Sequence, residues 1–373
     1  MRRIWNVAQW RNSFLSGLKI DVHETFLACV TNGATGCALY GSFHDDQLQM
    51  LGETTSRIVR LDYCATSREA LCVDESGHIW RYDPRGNRNR IHIPPAVYGL
   101  NQGSSITAAS QNTDSYYLAI ASQLSKTLAK KHKKRNIQRN LNVDSDDSED
   151  SNFAIHLLDI RKMNAIIRSY SDFHSDTVQA LNFSRDNSNL LISGGADGLV
   201  NFVDCSGMDE ENELQSTHSI LSSVNSVDFL TSNRAYATTD DGLYTIFTLN
   251  SAMDIDMSCS RKFARDGQFL VDILDTAHPD SLFLLGSSSQ GEGSIHCVSN
   301  DGKEITFVDS FVDHEDLIRC CAYDPVHNIL ITGGDDGQIV CRHLLQYPPK
   351  LAYSSKHIKK IKTAKKNKNR KPY

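Results

Sequence analysis

Apolar residues fall along this chain in short runs broken by Gly, Asn, Asp and Ser, and the runs lack the spacing of a helix face. They are rich in Val, Ile, Leu, Tyr and Phe, which predicts antiparallel strands joined by tight turns. The clearest unit, HSDTVQALNFSRDNSNLLISGGADGLVNFVD, runs from His174 to Asp204: an apolar run, a turn, a second run, an Asp-Gly turn and a third run. It recurs from His218 and from His314. The histidines lie 44 and 96 residues apart, and Asp197, Asp241 and Asp336, each followed by Gly, lie 44 and 95 apart. The longer gap has room for another unit, with runs at 269–277, 281–287 and 293–299. Residues 18–43 and 58–83 supply two more, and a last one begins at Ser105, breaks after Ser122 and resumes at Phe153. A period near 40 to 45 residues with four strands per unit predicts an all-β chain folded as a single seven-bladed β-propeller, with blades at 1–122 and 152–345. Residues 3–9 have no blade of their own, so they are expected to pair beside 338–344 and latch the ring.

The histidine 22 to 23 residues before each Asp-Gly turn, with Ser193, Thr238 or Thr332 ahead of the aspartate, resembles the structural His–Ser/Thr–Asp network of WD repeats. The resemblance implies that His174, Ser193 and Asp197, then His218, Thr238 and Asp241, then His314, Thr332 and Asp336 hold turns together. The tryptophan of that family's Trp-Asp pair is replaced by Tyr82, Leu158, Val203, Phe247 and Arg342, while Asp83, Asp159 and Asp204 keep the acid. More closely, HSDTV at His174, SGGADGLVNFVD at Ser193 and the lysine-rich end are similar to the family of WD repeat-containing protein 89. That likeness implies a propeller without an assigned enzymatic activity.

A His/Ser/Asp set also suits nucleophilic catalysis. Here it repeats with the blade, as a fold device does, whereas a catalytic site is built once. No GxSxG, P-loop or HExxH is present, and the glycine pairs Gly194-Gly195 and Gly333-Gly334 precede no helix. The sequence therefore predicts no enzyme, no cofactor and no metal site. The ten cysteines stand without any CxxC, as expected of reduced thiols buried in a cytosolic or nuclear protein. Neither a membrane-length apolar stretch nor a signal-peptide-like region follows Met1, so a soluble, unsecreted chain is expected.

Charge divides the chain. The stretch 123–151 is first basic, with Lys126, Lys130, Lys131, Lys133, Lys134, Arg135 and Arg139, and then acidic, with Asp144, Asp146, Asp147, Glu149 and Asp150. It is expected to be a disordered insertion in blade three, with Ser145, Ser148 and Ser151 as phosphorylation candidates. A basic tail, 346–373, carries after Tyr353 the cations Lys356, Lys359, Lys360, Lys362, Lys365, Lys366, Lys368, Arg370 and Lys371. Such runs serve as nuclear or nucleolar addresses or as non-specific RNA anchors, with a cytoplasmic location as the alternative. Setting the insertion and these nine tail cations aside leaves 23 cations against 40 acids, a net charge of −17 against −6 for the whole chain. An acidic ring repels phosphates and attracts basic proteins. The expected function is a nuclear protein-interaction scaffold for a basic client concerned with ribosome assembly or chromatin, working as a monomeric propeller within a complex.

In a four-stranded blade successive connections alternate between the two faces of the disc. The insertion thus leaves from the face of the Asp-Gly turns, and the third strands end on the other. There Asp83-Pro84-Arg85 and Asp159-Ile160-Arg161 close two consecutive blades. They resemble the Asp-x-Arg signature of propellers that dock on a cullin-4 ubiquitin ligase adaptor, which implies an alternative role as a substrate receptor.

Overall fold

The structure, a computed structural model, describes residues 2–344 except 8–12, 22–23, 65–68, 86–89, 102, 125–151, 163, 208–209, 232, 251–253, 264–266, 277–280 and 300–301. Seven four-stranded antiparallel sheets make one ring, the seven-bladed propeller expected from the repeat. Blades 1 to 6 use consecutive strands from 13–54, 58–93, 104–170, 178–219, 224–262 and 268–312. Blade 7 takes three strands from 318–343 and its outermost strand, Arg2–Asn6, from the other end of the chain.

That borrowed strand is the latch. It pairs with Gln338–His343 from Arg2↔Arg342 to Asn6↔Gln338, and the Val7 N–H continues the contact to the Gly337 carbonyl at 3.0 Å. Trp5 is buried with its ring 5.0 Å from Phe26 of blade 1, and its indole N–H donates to the Asp45 carbonyl at 3.1 Å. The apolar core lies between blades. Ile192, Val200 and Phe202 of blade 4 pack on Val224, Val227 and Phe247 of blade 5, and the same arrangement repeats around the ring. Each blade leaves its neighbour a face that nothing else covers, so closure removes the last bare one.

Every innermost strand carries a β-bulge near its start, between Leu15 and Gly17, Ile58 and Arg60, Ile106 and Ala108, Val178 and Ala180, Val224 and Ser226, Leu270 and Asp272, and Ile318 and Cys320. The residue before the bulge is always Leu, Ile or Val. The next inward core residue follows three positions later instead of two: Leu18, Leu61, Ala109, Leu181, Val227, Ile273 and Cys321. An extra residue in one strand bends it and re-aims the side chains beyond. The consequence is visible at the axis, where Arg60 Nη2 of blade 2 donates to Asn182 Oδ1 of blade 4 at 2.7 Å, across blades that are not neighbours.

In blade 3 the second strand, Tyr117–Leu124, runs past Ser122, where the break was expected. Gln123 pairs with Phe153, and the Leu124 N–H donates to the Asn152 carbonyl at 2.9 Å. The expectations of a disordered insertion and tail, of phosphorylation at Ser145, Ser148 and Ser151, and of targeting by Lys130, Lys131, Lys133, Lys134, Arg135 and the tail cations fall on 125–151 and 345–373, outside the described residues.

Candidate functional site

Blade 4 brings His174, Ser193 and Asp197 together. His174 Nδ1 lies 3.2 Å from both Asp197 oxygens, and Nε2 lies 2.8 Å from Ser193 Oγ and 3.2 Å from Asn201 Nδ2. The Asn201 amide donates to Nε2 in this arrangement, which places the ring proton on Nδ1, facing the carboxylate. Asp197 also accepts the backbone N–H groups of Ser175 (2.8 Å) and Leu199 (3.1 Å). Burial works to raise its pKa, but the bonds from His174 and these N–H groups hold it below the usual carboxylate range. Blade 7 repeats the set: His314 Nδ1 is 3.1 Å from Asp336, Nε2 is 2.8 Å from Thr332 Oγ1, and Asp336 accepts from the Glu315 and Gln338 N–H groups. The cage admits only glycine beside it, since a Cβ on Gly195 would come within 2.4 Å of Asp197 Oδ1 and 2.5 Å of His174 Nδ1. These sets have the order of a nucleophilic triad, yet Ser193 is 0% and Thr332 2% exposed, so neither hydroxyl meets a substrate.

Blade 5 departs from the sequence expectation. His218 does not approach Thr238 or Asp241; it lies on the outer strand Leu214–Ser219, opposite Val200, with its ring edge on Phe247 at 5.2 Å. The bulge register gives the reason. Val178 pairs with Gly195 and Val224 with Thr239, so the places of His174, Ser193 and Asp197 fall to Ile220, Ala237 and Asp241. Two of the three partners are apolar. Thr239, standing where Gly195 stands in blade 4, takes over the turn: its hydroxyl donates to Asp241 Oδ1 at 2.5 Å and accepts the Leu243 N–H at 3.0 Å. Ser222 adds a second hydroxyl to Asp241 at 2.9 Å. Thr238 Oγ1 is buried without a hydrogen-bond partner.

The Asp-x-Arg pairs share one geometry. Asp83 Oδ1 accepts both the backbone N–H of Arg85 (3.0 Å) and its Nε (2.9 Å), while Oδ2 takes Nη2 at 3.2 Å. Asp159 does the same for Arg161 at 2.9, 2.9 and 2.8 Å, and the Arg161 guanidinium lies 4.5 Å over the Tyr116 ring. Each aspartate is held below the usual carboxylate range by its own arginine's bonds. The aspartate fixes each guanidinium on that rim, and the arginine side chains are 61% and 56% exposed.

On the opposite face, that of the Asp-Gly turns, Asp172, Asp176, Asp240, Asp241, Glu315 and Asp316 are exposed. Arg319 on that face is neutralised by Asp335 through a bidentate contact at 2.7 to 2.9 Å. The axial cluster of Lys19, Arg60, Asp62, Asn182, Arg185 and Asp228 around a cavity of about 220 Å³ went unread in the sequence. The signal for it was there: Lys19, Arg60 and Asp62 interrupt apolar innermost strands. Among the described residues no group of His, Cys, Asp or Glu is placed to hold a metal ion, and no helix is long and apolar enough to cross a membrane.

Comparison with known proteins fits this geometry. The family described as WD domain, G-beta repeat matches residues 166–204 and 305–341. Each match starts on the outer strand of one blade and ends on the third strand of the next. An uncharacterized WD repeat-containing protein of Saccharomyces cerevisiae is 31% identical over 27% of this chain and 26% of its own length. Another of Schizosaccharomyces pombe is 24% identical over 49% of this chain and 60% of its own length. The chain thus matches less than two thirds of either relative. A chain in a crystal structure of the mitotic checkpoint complex superposes with a TM-score of 0.66 and 14% identity, covering 92% of this chain and 95% of that one, a likeness of fold. Two stretches of this propeller, 166–204 and 305–341, are thus similar to the WD domain, G-beta repeat family.

Proposed function

We propose that the chain is a non-catalytic scaffold whose acidic ring holds a basic protein partner. The observation that carries this reading is the charge of the ring, net −17, with Asp172, Asp176, Asp240, Asp241, Glu315 and Asp316 exposed on one face. Complementary charge speeds encounter and rejects acidic competitors more than it adds affinity. The burial of the His–Ser/Thr–Asp hydroxyls supports a structural role for those sets. Similarity to WD repeat-containing protein 89 rests on the segments at His174 and Ser193 and on the lysine-rich end, and it points the same way. The tail cations Lys359, Lys360, Lys365, Lys366, Lys368, Arg370 and Lys371 support a nuclear or nucleolar location, with a Lys/Arg-rich ribosomal protein or histone as client. The test is calorimetric titration of the full chain with a histone-tail peptide. Asp240→Lys with Asp241→Lys should weaken binding about tenfold, or about 1.4 kcal/mol, and double-reversal binding equal to wild type would sink the reading.

The matched geometry of Asp83–Arg85 and Asp159–Arg161 on adjacent blades favours a second reading, docking on a cullin-4 ligase adaptor. Arg85→Ala with Arg161→Ala should then abolish adaptor pull-down at an unchanged melting temperature, and retained pull-down dismisses it.

A further inference from the structure

The innermost strands of an acidic ring bring three cations to one end of its axis. Lys19 comes from the first strand of blade 1, Arg60 from that of blade 2, and Arg185 from just beyond that of blade 4. With Asp62, Asn182, Asp228, Ser110 and Thr113 they line the cavity of about 220 Å³. The cavity opens where first strands turn into second strands, on the face that carries the Asp-x-Arg pairs and away from the Asp-Gly turns.

The three cations are not equally satisfied. Arg60 is committed: Nε donates to Asp62 at 2.5 Å and Nη2 to Asn182 at 2.7 Å. Among the described residues, Lys19 Nζ has an acidic partner only in Asp62, at 3.7 Å, and Arg185 Nη2 only in Asp228, at 3.6 Å, both longer than a hydrogen bond. The two carboxylates are engaged elsewhere as well, Asp62 by Arg60 and Asp228 by the Phe229 N–H at 2.8 Å. The third axial carboxylate, Asp272, accepts from Tyr236 Oη and the Ile273 N–H. The cavity therefore holds three positive and two negative groups. Repulsion from Arg60, then burial, lowers the pKa of Lys19 despite Asp62 and Asp228.

We propose that this channel mouth binds a single oxyanion group, carboxylate or phosphate, between Lys19 Nζ and the Arg185 guanidinium. A primary amine and a planar fork with free donors supply the charge-assisted bonds such a group takes. The volume admits one acidic side chain or one free phosphate. Because the ring around it is acidic, an anion gains only in direct contact with these donors. Raising salt screens the ring's repulsion at long range and leaves the short contacts less affected. Anion binding to the basic tail weakens steeply with salt instead.

The experiment titrates the full chain with inorganic phosphate and, separately, with an end-blocked Asp/Glu peptide, at low and high salt. Binding that persists at high salt and weakens about tenfold in both Lys19→Met and Arg185→Gln is the expected result. Tighter binding of phosphate identifies a free anion, and tighter binding of the peptide identifies a partner's side chain. Lys19→Met relieves a like-charge contact, so its melting temperature should hold or rise, which keeps the variant informative. As a second readout, acetylation of Lys19 followed by mass spectrometry should slow when the anion is present. No binding of either probe, wild-type binding by the double variant, or unprotected Lys19 overturns the proposal.

Discussion

His174 and His314 each hold an aspartate that also receives two backbone N–H groups, so the carboxylate organises a turn as much as it pairs with the imidazole. Asp336→Ala strands the His314 Nδ1 proton and the N–H groups of Glu315 and Gln338, which should cost about 2 to 4 kcal/mol in urea unfolding. Asp241→Ala in blade 5 strands the hydroxyls of Thr239 and Ser222 but no buried histidine, and about 0.5 kcal/mol is expected. Equal losses would refute the view that blade 5 has replaced its network. Acid acts on the same groups. Asp197 and Asp336 have depressed folded-state pKa values, so their contribution is complete above the unfolded value near 4 and is lost as pH falls through the folded ones. Asp272 has the opposite sign, because burial pushes it up to about 6. The folded state keeps its proton between about pH 4 and 6, so this residue's contribution declines as pH rises through that window and is a net cost above it. Asp272→Asn should therefore gain on wild type between pH 5 and pH 8, by about 1.4 kcal/mol, in paired unfolding curves. A constant difference across that range would contradict the shift.

The strands were legible in the sequence because apolar runs and Asp-Gly turns recur at the blade period, and the latch was legible because residues 3–9 had no partner nearby. The Asp-Gly turns also gave the correct place for the aspartates. What failed was the histidine of blade 5. Its spacing to Asp241 matches that of His174 to Asp197, but His218 sits two residues before the equivalent place, on the outer strand, and Ile220 occupies that place. Counting from the bulge would have shown this, since Val178 and Val224 mark the same point in their blades. The bulge itself is hidden in sequence as a three-residue spacing between core positions, which looks like a lapse in strand alternation. The latch strand carries the largest prediction at this scale. Trp5 is 2% and Val7 0% exposed, and both join the core shared by blades 7 and 1. Trp5→Ala should cost about 3 to 5 kcal/mol, and removal of residues 1–10 should also expose the edge of Gln338–His343 to pairing with other copies. An unchanged melting temperature and a monomeric elution profile after that deletion would show that the ring closes without it.

For the whole molecule, net charge is a poor guide, because −6 averages a ring of −17 with a tail that has nine cations after Tyr353 and no acid. The two parts should respond oppositely to a polyanion. Single-stranded RNA held by the tail releases counterions in proportion to the phosphates neutralised, with a slope of about −0.7 in log K per log salt for each. Nine cations thus set a ceiling near −6, and repulsion by the ring keeps the observed slope below it at low salt. Chains ending at Tyr353 should lose this binding. The strands that flank the insertion, Tyr117–Leu124 and Phe153–Asp159, meet it on the Asp-Gly face, the face of Asp172, Asp176 and Glu315. Fluorescence anisotropy of a labelled poly(U) strand against the full and shortened chains, across a salt series, checks the argument. A shortened chain that binds with the same slope would mean that the tail is not the RNA-binding element and that the ring's acidity does not govern what approaches it.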